Sequence, residues 1–131
     1  MISAYVATKF ALEGLSESIA YEVEPFGIKV ILIEPGAIGS NFMKGSVFSK
    51  SAQDPQSPYS ELVKKSNDKT YSARENATKP EEVAETIIKA ISAEKPEFRY
   101  VVGKDADGLL EARKNMAYSE FQKMIIQNIM Q

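Results

Sequence analysis

Residues 28–36 read Ile28-Lys29-Val30-Ile31-Leu32-Ile33-Glu34-Pro35-Gly36. The run from Ile28 to Ile33 is short, β-branched and almost continuously apolar, the composition of a strand covered on both faces in a parallel sheet. Pro35 and Gly36 break it at its carboxyl end, where open α/β sheets bind their ligands. Upstream, Leu12, Leu15, Ile19 and Val23 recur on one face of a 3.6-residue period, which predicts a helix over 3–25. Ser3 is its expected N-cap and Pro25-Phe26-Gly27 its stop signal. Helix, short turn and buried strand make the second half of a βαβ unit, so the expected class is α/β.

Downstream of the strand the composition changes. Residues 39–78 are rich in Ser, Asn, Lys, Gln and Pro, with Phe42, Val47, Phe48, Tyr59 and Leu62 as scattered anchors. They read as an excursion holding one helix near 58–67, and so long a connection is usually functional or disordered. Thr78-Lys79-Pro80-Glu81 has capping-box spacing before Val83, Ile87, Ile88 and Ile91, which predicts a helix over 80–94. Phe98 to Val102 reads as a short strand ended by Gly103. From Gly108 an amphipathic segment through Leu109, Leu110, Ala117, Phe121, Met124, Ile125 and Ile129 makes one or two terminal helices.

Composition removes several function classes. The 131 residues include 16 basic and 18 acidic side chains, a net charge of −2, so nothing draws the chain to nucleic acid or to an anionic membrane. Cys and His are absent, which removes thiolate chemistry, the commonest metal ligand and the usual neutral-pH base. Proton transfer must then use Tyr, Lys, Asp or Glu. No apolar run approaches the roughly 20 residues that span a bilayer, and no basic-then-apolar leader is present, so a soluble cytoplasmic protein is expected. Core or subunit packing is the expected role of the Met- and Ile-rich C-terminal segment.

Tyr5 and Lys9 stand four apart on the first predicted helix and so project together from successive turns. On a helical wheel they share the direction of Leu12, Ile19 and Val23, the face expected to turn toward the core. An ammonium beside a phenol favours the phenolate and lowers the tyrosine pKa from about 10. A phenol tuned in that way serves as a general acid or base. An isolated pair at this spacing is usually a helix-start aromatic beside a solvated lysine, so the flanking residues decide. The carboxylate pairs Glu13/Glu17 and Asp105/Asp107 read as solvated charges.

Those flanking residues are Thr8-Lys9-Phe10-Ala11-Leu12-Glu13-Gly14-Leu15, then Glu34-Pro35-Gly36 at the end of the strand. Taken in that order and spacing with Tyr5, they resemble the short-chain dehydrogenase/reductase family. The resemblance implies a Rossmann-like doubly wound parallel sheet with a helical substrate lid, of which this chain is the C-terminal portion. It implies an oxidoreductase that interconverts a small-molecule alcohol and a carbonyl by hydride transfer with NAD or NADP, without a metal. Tyr5 would be the catalytic acid/base, and Lys9 would lower its pKa and bind the nicotinamide ribose hydroxyls. Pro35 and Gly36 would form the turn beside the nicotinamide, Ile38 would contact the carboxamide through its backbone, and Ser40 would stand where the family has Thr. Residues 39–78 would be the lid, with Phe42, Met43, Val47 and Phe48 as an apolar substrate wall; ordinary anchoring of a surface excursion explains those residues equally well. Residues 1–107 would belong to the nucleotide-binding domain and 108–131 to a C-terminal helical segment. A homo-oligomer formed through the Tyr5–Val23 helix is implied as well.

The family's other signatures do not occur. No Gly-x-x-x-Gly-x-Gly is present, and Ser3 lies on the wrong turn to replace a catalytic Ser about a dozen residues before the tyrosine. Without a phosphate turn there is no helix N-terminus of that kind to hold a pyrophosphate, and the choice between NAD and NADP is not encoded. A truncated copy, or a misassigned start, of a full dehydrogenase is expected. Half of a split enzyme and an inactive interaction module are the alternatives, the latter because Val6, Phe10 and Gly14 form a second apolar stripe on the tyrosine helix.

Overall fold

Gly27 ends the first helix by adopting a left-handed backbone, φ 74°, and donating its N–H to Glu24 O at 2.9 Å. Helix α1 spans Ser3–Val23, and Glu24–Phe26 follow as one 3-10 turn with Pro25 at its start. The computed structural model describes residues 3–72 and 77–130. Ser3 lies within the helix rather than capping it.

The sheet has two parallel strands among the described residues, β1 (Leu32–Pro35) and β2 (Arg99–Val102). Their register pairs Leu32 with Arg99, Ile33 with Tyr100, Glu34 with Val101 and Pro35 with Val102. The strand expected at Ile28–Ile33 is therefore displaced toward its carboxyl end. Ile28 to Ile31 have the composition of a strand, but β2 reaches only as far as Leu32, whose N–H donates to Phe98 O at 2.8 Å. Cover on both faces is likewise incomplete: Leu32, Ile33 and Glu34 are half-buried and Ile28 is exposed. Pro35 has no N–H to give the ladder, and Gly36 supplies the next donor, to Val102 O at 2.9 Å.

The connection between the strands is helical. Phe42–Gly45 form a 3-10 turn, α2 covers Lys50–Gln53 and α3 covers Ser60–Ser72, so the helix expected near 58–67 begins later and runs longer. Ser49 caps α2 by accepting the Ala52 N–H at 3.3 Å. Helix α4, Pro80–Ser92, packs on both strands. Its cap is one residue later than the spacing suggested: Lys79 N–H donates to Glu82 Oε1 at 3.3 Å, and Thr78 is used elsewhere. Ala90, 1 % exposed, and the half-buried Val83 and Thr86 form its inward face, while Ile87, Ile88 and Ile91 lie exposed. A small residue lets the helix backbone approach the sheet closely.

After β2, Gly103 turns with φ 106° into α5 (Lys104–Asn115), which packs on β2, and α6 (Tyr118–Met130) packs against α3 and α5. The division expected at residue 107 falls inside α5. No helix of the described residues is long and apolar enough to cross a membrane. The arrangement is mixed α/β with a small parallel sheet.

Candidate active site

Tyr5 and Lys9 project from successive turns of α1, and Lys9 Nζ stands 5.4 Å from the centroid of the Tyr5 ring. The Tyr5 ring also meets Phe42, with centroids 6.0 Å apart and planes inclined by 55°. A phenol, an ammonium and an apolar ring from the excursion are thus brought together, the ring contact adding to simple burial. The face they share is not turned into a core: Tyr5 is 45 % exposed, Leu12 is 50 % exposed, and α1 buries none of its residues.

Of the other residues expected around a substrate, Val47 is 96 % exposed, and Phe48 is half-buried in a groove it shares with Ala52 of α2 and Val63 of α3. Phe42 alone of this set has a described contact with Tyr5; the side chain of Met43 lies outside the described ones.

The segment expected beside a nicotinamide, Pro35 to Ser40, leaves the carboxyl end of β1 and is held by several bonds. Ala37 N–H donates to Asp105 Oδ2 at 2.7 Å, and Ala37 O accepts the Thr78 N–H at 2.8 Å. Gly39 N–H donates to Thr78 O at 3.0 Å, completing a parallel bridge between Ile38 and Thr78. Ser40 Oγ accepts the Phe42 N–H at 3.3 Å, so this hydroxyl also caps the 3-10 turn that carries Phe42.

Below the loop lies a charge cluster. Arg99 of β2 donates to Glu13 Oε2 at 2.9 Å, stands 3.0 Å from Glu34 Oε1 and reaches Glu17 Oε2 at 3.8 Å. Burial pushes the Glu34 carboxyl above its ordinary value, the charge of Glu13 pushes the same way, and Arg99 opposes both. Glu13 and Glu17 are therefore paired charges rather than simply solvated ones.

The model of the family described as short chain dehydrogenase matches residues 1–52. Over 126 residues the chain is 32 % identical to the uncharacterized oxidoreductase YusZ of Bacillus subtilis, covering 95 % of this chain and 45 % of that one. Over 108 residues it is 38 % identical to 17-beta-hydroxysteroid dehydrogenase type 1 of Homo sapiens, covering 73 % of this chain and 30 % of the other. A solved short-chain dehydrogenase from Streptomyces avermitilis superimposes with a TM-score of 0.72 at 37 % identity, covering 93 % of this chain and 43 % of that chain. The chain belongs to the short-chain dehydrogenase/reductase family.

The chain spans less than half the length of each of these relatives. Its small parallel sheet matches the Rossmann-like fold of a short-chain dehydrogenase, and its relatives are oxidoreductases. Within this short-chain dehydrogenase chain, sequence reasoning missed Asp105, Thr78 and Arg99. Gly103-Lys104-Asp105, directly after a strand, carries a usable signal: a positive-φ turn followed by a carboxylate in the first turn of a helix, aimed at the neighbouring strand end. Arg99 offers a weaker one, as a lone cation on a strand two positions from Val101.

Proposed function

We propose that this chain carries the proton-transfer portion of an NAD(P)-dependent oxidoreductase site that interconverts a small-molecule alcohol and a carbonyl. The observation that carries the reading is the grouping of Tyr5, Lys9 and Phe42. In this scheme the Tyr5 hydroxyl gives its proton to a carbonyl oxygen in reduction and takes it back in oxidation. Lys9 keeps a positive charge beside that oxygen and orients the ribose hydroxyls of the nucleotide. Phe42 excludes water on the substrate side, and Pro35, Gly36, Ile38 and Ser40 face the nicotinamide. When bound, the nicotinamide supplies the hydride donor or acceptor.

The residues fit one end of a dinucleotide and not the other. A helix N-terminus can hold a pyrophosphate, but α5, which follows β2 directly, carries Asp105 and Asp107 in its first turn. Two carboxylates there repel a phosphate. No Gly-x-x-x-Gly-x-Gly turn occurs in these residues either, so this chain alone would be an incomplete, inactive fragment of the site.

A second reading, an inactive interaction module or half of a split enzyme, is favoured by the exposed Phe10, Leu12 and Leu15 on α1. Both readings accommodate a homo-oligomer joined through α1 and a cytoplasmic location. Turnover of secondary alcohols with NAD and NADP, measured on the chain alone and mixed with the N-terminal portion of a relative, separates them. Activity appearing in the mixture and falling about a hundredfold or more in Tyr5→Phe supports the first reading. Activity unchanged in Tyr5→Phe sinks it, no activity in either sample favours the interaction module, and activity confined to the mixture fits half of a split enzyme as well.

A further inference from the structure

Gly36 has no positive φ and so is not required by the backbone. Its lack of a side chain has another cause: a Cβ there would lie 2.2 Å from Asp105 Oδ1, 2.4 Å from Oδ2 and 2.5 Å from Cγ. Gly103 contributes from the opposite side, since a Cβ on it would lie 2.5 Å from Thr78 Oγ1 and 2.8 Å from Asp105 Oδ1. The Asp105 carboxylate thus fills space left by two glycines, one at the end of each strand.

From that seat Oδ2 accepts the Ala37 N–H at 2.7 Å, a contact spanning 68 residues of sequence. The Ala37 carbonyl is held by the Thr78 N–H at 2.8 Å. With its N–H and its C=O both fixed, Ala37 leaves the chain little freedom in how Ile38 presents its backbone. A charged acceptor makes the stronger kind of backbone hydrogen bond.

We propose that Asp105 is a positioning residue for nicotinamide: with Thr78 it clasps Ala37 and so sets the orientation in which Ile38 meets the carboxamide. The assignment rests on the reading of residues 35–40 as the nicotinamide-facing loop. Gly36, on this account, is small to admit an internal carboxylate, and its contribution to nucleotide binding is indirect. Asp105 touches neither substrate nor the reacting atoms and acts only through the loop.

The test uses the full chain, labelled with ¹⁵N, in the unsubstituted form and as Asp105→Ala and Asp105→Asn. The Ala37 amide proton is read for chemical shift and hydrogen exchange, and NADH affinity is read by calorimetry on the chain mixed with the N-terminal portion of a relative. Asp105→Ala should shift the Ala37 amide upfield, speed its exchange and weaken NADH by roughly tenfold to a hundredfold. Asp105→Asn, which keeps an acceptor oxygen of the same shape, should recover most of both effects even where the alanine variant is poorly folded. An Ala37 amide indifferent to both substitutions overturns the clasp. An altered amide with unchanged NADH affinity overturns the positioning role. If the mixture holding the unsubstituted chain fails to bind NADH, the reading of the loop falls and the role with it, while the amide shift still reports whether the clasp exists.

Discussion

Arg99 Nη2 donates to Glu13 Oε2 at 2.9 Å, joining residues 86 positions apart and tying the middle of α1 to the start of β2. The same guanidinium stands 3.0 Å from Glu34 on β1, so one cation links the tyrosine helix to both strands. Both side chains of the first pair are about two-fifths exposed, which limits what each contact contributes. Arg99→Met keeps the stem and removes the charge, leaving three carboxylates without a counter-ion. A loss of about 1 kcal/mol in urea unfolding is expected. The loss should shrink in high salt; an equal loss at all salt concentrations would argue against an electrostatic origin.

Glu34 gives a pH dependence with a definite sign. Its folded carboxyl titrates above the ordinary value, chiefly through burial, so the folded chain holds that proton to a higher pH than the unfolded chain does. The stabilisation is complete below the unfolded value of about 4.3 and is lost as pH rises through the folded one. Against unsubstituted protein, Glu34→Gln should show a flatter fall in stability as pH rises from that point. Urea midpoints collected across the acid range, with the two proteins compared at each pH, measure it.

Gly36→Ala forces a methyl group into the Asp105 carboxylate and should cost about 1–3 kcal/mol, a steric rather than a conformational effect. Combining it with Asp105→Ala empties the contested space, so the double variant should lose less than the sum of the two singles. A double-mutant cycle by thermal unfolding gives the coupling, and strict additivity would place the methyl group elsewhere.

Phe10 is 75 % exposed on α1, one turn from Val6, which is 36 % exposed. If this face pairs with another subunit, Phe10→Glu should shift the sedimentation coefficient toward that of the monomer at equal concentration. An unchanged coefficient, with helicity intact by circular dichroism, would remove α1 as the association surface.

Local signals were the legible ones. Tyr5 and Lys9 stand on the same side of α1 because a four-residue spacing guarantees it, and Gly27 stops the helix because its backbone is left-handed. The strand at 28–33 was misplaced because composition reports a tendency to extend, whereas pairing depends on how far Arg99 to Val102 run. Composition does not locate the buried face of α4, for a related reason. Ile87, Ile88 and Ile91 carry the hydrophobic signal, but close approach to the sheet selects Ala90. Asp105 was read as solvated because its partner, Ala37, is distant in sequence and offers only a backbone N–H, which leaves no mark on composition.

Helix α1 is held chiefly near its middle, by Arg99, and at its end, by the turn at Gly27, while Tyr5 stands near the opposite tip. From Glu13 to Tyr5 a helix extends about 12 Å, so the part beyond the ion pair is a lever arm with the phenol near its tip. A tilt of about five degrees at Glu13 carries the phenol roughly 1 Å sideways, a displacement that can slow a reaction about a hundredfold. If Tyr5 moves the proton as proposed, its precision is a mechanical property of the Arg99–Glu13 ion pair, which would control turnover without touching the substrate.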